Sequence, residues 1–142
     1  MREEPCPLFA KKGWNMTING LISEVDDLKP NQYGDEQKIK WINKVEGMVV
    51  REIINTHEPD EEYADAADFK EYTELTNMDT ELLVKEPYTD LYKFYLFAMI
   101  DMHNEEYDRY QNSFQMFNIS YQEFANYYNR THRSNGPRHF KN

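Results

Sequence analysis

His103 and Glu106 stand three residues apart in a stretch with helical periodicity, and Asp101, Glu105 and Asp108 lie close by. On a helix that spacing puts an imidazole and a carboxylate on one face. Helical bundles build metal sites this way when a second helix supplies two more ligands. No matching Glu-x-x-His occurs elsewhere, so these residues read as a solvated polar face. Glu61 and Glu62 with Asp65 and Asp68 form a second acidic cluster, of a kind that holds Mg²⁺ over a phosphate substrate. That segment has no apolar helical stripe, and isolated loop carboxylates hold Mg²⁺ poorly without substrate phosphates. No Ser or Cys sits in a nucleophile motif, and the single cysteine, Cys6, lies between two prolines. The five glycines are isolated, so there is no phosphate-binding glycine loop. No catalytic, cofactor-binding or metal-ligating residue is expected, and the chain reads as a non-enzyme.

The elements that position these residues belong to a chain of 142 residues, the size of one domain with its own core. One cysteine excludes a disulfide framework and a Cys-rich zinc site. No apolar run approaches the roughly 20 residues that cross a bilayer, and Met1–Trp14 lacks the apolar centre of a signal peptide. The formal net charge of −10 argues against sequence-independent nucleic-acid binding, which needs Lys and Arg to displace counterions. The charge is uneven. Ten acidic residues and one Lys fall between Glu58 and Glu81, whereas Arg130–Asn142 holds four Arg/Lys and no acid. Such asymmetry marks contact surfaces or tails.

Periodicity predicts an all-α fold, a small bundle of about four helices. Residues 1–16 read as an extended N-terminal arm. Met16 resembles a natural start, because Lys12-Gly13-Trp14 can be encoded by a ribosome-binding sequence just upstream; on this reading the arm is a translated leader. Thr17 is a good N-cap for a first helix with Ile18, Leu21, Ile22, Val25 and Leu28 on one face. Asp35 is expected to cap a second helix carrying Ile39, Ile42, Val45, Val49 and Ile53, with Gly47 placed for close approach of a neighbouring helix. Residues 59–87 form a long acidic connection whose one apolar patch, Thr80–Val84, should dock on the body. Pro87 marks the first turn of the next helical stretch. No Gly or Pro interrupts Tyr88–Asn135, and one continuous helix would be roughly 65 Å long. A break near Tyr110–Ser113, where Gln-Asn-Ser gives cap-forming chemistry, would give two antiparallel helices and is favoured over the competing picture of a bent single helix. Residues 17–131 then form the helical domain and 132–142 a basic, extended tail.

Three stretches carry a family resemblance: LKPNQYGDEQKIKWINKVEGMVVREIINTH, DTELLVKEPYTDLYKFYLFAMIDMHNEEYDRYQNS and FQMFNISYQEFANYYNRTH. They resemble small proteins encoded among the head genes of tailed phages and prophages of Firmicutes, the head–tail connector or adaptor proteins. The resemblance spans about Thr17 to His132 and rests on overall pattern rather than a sharp motif. It implies a helical, non-enzymatic virion protein, made in the host cytoplasm and located in the neck. About twelve copies would form a ring beneath the portal, extend the DNA channel without sequence-specific DNA binding, and dock a tail or stopper protein. No cofactor and no membrane is implied.

The surface chemistry is compatible with a ring subunit, which needs lateral faces that fit each other around a closed cycle. Tyr92, Phe94, Phe97, Tyr107 and Tyr127, with Tyr88, lie off the main apolar stripe and exceed what one small core needs; they are the expected lateral interface. Arg130, Arg133, Arg138 and Lys141, with Phe140 as an apolar anchor, are the expected contact to an acidic surface of the portal or of a neighbouring subunit. The alternative is another phage accessory protein, a tail-completion protein or an acidic DNA-mimicking inhibitor. An inhibitor would work as a monomer or dimer.

Overall fold

The structure is a computed structural model, and it describes residues 15–58, 61, 63 and 70–134. Thr17 caps helix α1 (Ile18–Leu28) as its sequence predicts: its side-chain oxygen accepts from Gly20 N at 3.0 Å. Ile18, Leu21, Ile22 and Val25 are buried. Leu28 is not part of that face; it is 59% exposed, because Lys29 takes the inward position and reaches Asp101 at 3.0 Å. Helix α2 (Asp35–Glu52) follows, with Gly34 rather than Asp35 at its cap. Asp35 is instead the first helical residue, where with Glu36 it complements the helix dipole. Gly47 makes no room for a neighbouring helix. A Cβ there would meet only the Arg51 guanidinium of the same helix, at 3.1 Å.

The acidic connection returns to the body along α2. Asn43 acts as a short strand edge: its carboxamide donates to Tyr72 O at 2.9 Å and accepts from Tyr72 N at 2.8 Å. Farther on, Thr80 O and Met78 O accept from Ile18 N and Asn19 N, two donors that the first turn of α1 leaves open. The Thr80–Val84 patch docks as expected, with Leu82 and Val84 buried and Leu82 N donating to Met16 O at 2.8 Å. Asn15 and Met16, the end of the expected arm, therefore join the fold; the rest of that arm lies outside the described residues.

Helix α3 (Asp90–His103) begins three residues beyond Pro87. It is apolar on nearly all sides and lies in contact with α1, α2 and α4. The break that follows falls at Asn104–Glu106, not at Tyr110–Ser113. Glu106 N donates to Asp101 O at 2.9 Å and Glu105 N to Met102 O at 3.0 Å, with Glu105 in the left-handed region at φ 62°. This is a Schellman ending built without glycine, so no punctuation in the sequence marks it. Replacing Glu105 with Gly should stabilise the protein by about 0.5–1 kcal/mol, because a side chain is disfavoured at positive φ. An unchanged urea midpoint would contradict that account.

Helix α4 (Tyr107–Thr131) runs back antiparallel to α3, as the pairs Tyr95–Phe117 and Tyr88–Phe124 show, with centroids 5.2 and 5.8 Å apart. It outruns α3, and its far end is clasped by the segment after α2. Glu58 N donates to Arg133 O at 2.8 Å, the His57 ring packs edge-on to Tyr128 at 4.8 Å, and His132 stacks on Tyr128 at 3.8 Å. Arg133 and Ser134 thus belong to the folded body. Among the described residues the protein is all-α: four α-helices, 3₁₀ conformation at Ile54–Thr56 and again at Glu61 and Tyr63, two isolated β-bridges and no strand. None of these helices is long and apolar enough to cross a membrane.

Candidate functional site

The sequence-marked metal constellation is pulled apart by the α3–α4 corner. Asp101 is buried against Lys29 and accepts from Ser113 Oγ at 2.9 Å, while His103 lies beside Trp41, centroids 5.4 Å apart. Among the described residues no group of three His, Cys, Asp or Glu is placed to hold a metal. Glu62, Asp65 and Asp68 of the other acidic cluster lie outside the described residues.

The aromatic residues expected on a lateral interface do not form one patch. Tyr92 is fully buried and is corrected to a core residue. Its hydroxyl donates to Glu46 Oε2 at 2.7 Å and accepts from Val84 N at 2.9 Å. Phe94 and Phe97 are half-buried, edge to face at 6.0 Å, and Lys93 and Lys29 lie over their rings at 5.0 and 5.2 Å. Tyr107 is 59% exposed at the start of α4. Tyr127 stacks on Tyr88 at 4.8 Å near the other end of the hairpin. Of the expected basic contacts, Arg130 is exposed, and Arg133 lies 3.7 Å from Glu58 in a solvent-screened pair. Arg138, Phe140 and Lys141 lie outside the described residues.

Glu46 is the most unusual ionisable group. It is 1% exposed, and one of its oxygens accepts three hydrogen bonds, from Tyr92 Oη, Leu83 N (2.8 Å) and Tyr72 Oη (3.1 Å). Burial pushes its carboxyl above the ordinary range, against the lowering effect of those donors. Burial and the facing carboxylate push both tyrosine hydroxyls up as well, which keeps them donors. The cluster joins α2, α3 and the returning connection.

One feature was not anticipated from sequence. A groove of about 810 Å³ lies between α2, α3 and the connection at Glu71. Trp41, Tyr95, Met99 and Met102 give it apolar walls; Lys40, Lys44 and Arg51 line it with positive charge. The cations recur at helical spacing along α2, the one signal the sequence offered. None of the three meets a carboxylate within 4 Å among the described residues, so an acidic protein keeps a basic groove open. Such a surface suits an acidic chain carrying a large apolar side chain. The chain matches no protein-family model, no curated protein and no solved structure.

Proposed function

We propose that this protein is a structural assembly part, a head–tail connector of a tailed phage that forms a ring between portal and tail and extends the DNA channel. The resemblance over about Thr17 to His132 supplies the specific reading. The observation that supports it is how the polar groups are spent. Buried Lys38, Glu46 and Asp101 each tie one element to another, by contacts to Asp26, to Tyr72, Leu83 and Tyr92, and to Lys29. The unengaged charge lies on open faces, as suits a rigid part that works by contact. The basic C-terminal tail is the arm that grips an acidic portal surface.

Mixing the purified protein with its cognate portal, with mass read by light scattering and the product imaged, tests this. The expected product is a ring of about twelve copies. Because Arg133 and Ser134 clasp the body, the tail is cut from residue 135; that truncation should keep the unfolding midpoint and lose the docking. A full-length protein that stays a lone monomer or dimer beside the portal overturns the connector reading in favour of an acidic inhibitor or a later-acting tail component.

A further inference from the structure

We infer that the basic groove between α2 and α3 is the seat of a second copy of this chain, which inserts the acidic turn around Leu75 while receiving the same turn in return. Leu75 is 93% exposed, the most exposed of the large apolar side chains among the described residues. It is not a frayed tip. Thr76 N donates to Thr73 O at 3.0 Å, Thr73 N to Thr76 Oγ1 at 2.8 Å and Leu75 N to Thr73 Oγ1 at 3.1 Å. Tyr72, just before the turn, is bolted to Asn43 by two hydrogen bonds. A turn held in shape loses little freedom on docking, which favours association. Exposed Glu71 and Glu74 flank the leucine.

The two halves are complementary. One is an apolar side chain between carboxylates; the other is a Trp/Tyr/Met-walled groove lined by Lys40, Lys44 and Arg51, with the same copy's Glu71 as its one acidic lining residue. They also share a face, since Lys40 and Asn43 line both the groove and the shallow cleft under Thr73 and Glu74. A knob beside its own socket favours a two-fold pair in which each copy fills the other. A chain of formal charge −10 associates with itself most readily where its cations meet carboxylates, and this face brings three of its 16 Lys and Arg to such a meeting. The inference stands apart from the connector reading: pairing is read in the free protein, ring formation on the portal.

Sedimentation equilibrium on the full chain tests it, using Lys40→Glu with Lys44→Glu, and separately Glu71→Lys with Glu74→Lys. Wild type should show a reversible, salt-sensitive monomer–dimer equilibrium. Each reversal should weaken it by about 100-fold, since like charges then meet in both halves of the pair. An equimolar mixture of the two variants should restore a dimer, because every contact in the mixed pair is again between opposite charges. The glutamate reversal is the sharper arm. It brings the net charge towards zero, so general self-repulsion predicts tighter association where the specific contact predicts weaker. Leu75→Ser should weaken pairing at an unchanged unfolding midpoint. A wild type that stays monomeric to about 1 mM, association indifferent to the reversals, a mixture that fails to pair, or growth beyond a dimer would each overturn the inference.

Discussion

Glu46→Ala is expected to lower stability by about 3–5 kcal/mol, because it strands the Tyr92 hydroxyl, the Tyr72 hydroxyl and the Leu83 amide, and a buried donor without a partner costs about 1–3 kcal/mol. All three converge on one carboxylate oxygen at 2.7–3.1 Å, so one truncation removes every acceptor together. Glu46→Gln keeps one carbonyl oxygen for those donors and should cost much less. Urea unfolding of the two variants separates the contributions. A Glu46→Ala change below about 1 kcal/mol would show that the network is not what holds the connection to α2.

The two variants should also differ in their response to pH. The ordinary carboxyl value is 4.5, and in the fold burial raises it. Below 4.5 folded and unfolded chains both carry the proton, and Glu46 contributes its full share. As pH rises past 4.5 the unfolded chain loses its proton while the fold retains it. Stability therefore falls with pH until the folded group also ionises, and is level above that. Glu46→Gln cannot titrate. It should gain on wild type as pH rises from 4.5, and the difference between the two should become constant below that value. A stability difference independent of pH would mean that Glu46 is ionised in the fold at its ordinary value.

The sequence made part of this cluster visible. Glu46 falls on the face of Ile42, Val49 and Ile53, at spacings of four, three and four, so its burial was readable from the helical period. Its partners, 26 to 46 residues away, were not, since nothing local pairs a helix carboxylate with Tyr72 or Tyr92. Tyr92 was misplaced for a related reason. The helical spacing of Leu91, Tyr95 and Ala98 marks one apolar stripe, whereas α3 is a central helix with several buried sides, and Leu91–Ile100 contains only one charged residue, Lys93. The hairpin itself was legible from periodicity, and its corner was not, because Glu105 fills a position that glycine ordinarily marks. The basic groove escaped because the acidic total hides a stripe of three cations along α2, and only the fold shows that no described carboxylate comes within 4 Å of them.

That corner is also where the second large effect is expected. Asp101 is 1% exposed, receives Lys29 Nζ at 3.0 and 3.3 Å and Ser113 Oγ at 2.9 Å, and offers its backbone oxygen to Glu106 N. It joins the turn between α1 and α2 to the turn between α3 and α4. The same junction is reinforced where Tyr33 Oη and Gln32 Nε2 donate to Asn104 Oδ1 at 2.7 and 3.1 Å. Asp101→Ala should cost about 2–4 kcal/mol; the cost of breaking a buried pair is moderated because Lys29 is partly solvated. Lys29→Met alone leaves a buried carboxylate held only by Ser113 and should be comparably harmful. The double variant should be less damaging than the sum of the two by about 1–3 kcal/mol, the coupling of a direct contact. A coupling near zero would show that Asp101 acts through Ser113 and the backbone corner rather than through Lys29. Because Met102 and His103 extend directly from Asp101 into the groove wall, Asp101→Ala should also weaken self-pairing, whereas Glu105→Gly, which changes the same corner without releasing Lys29, should not.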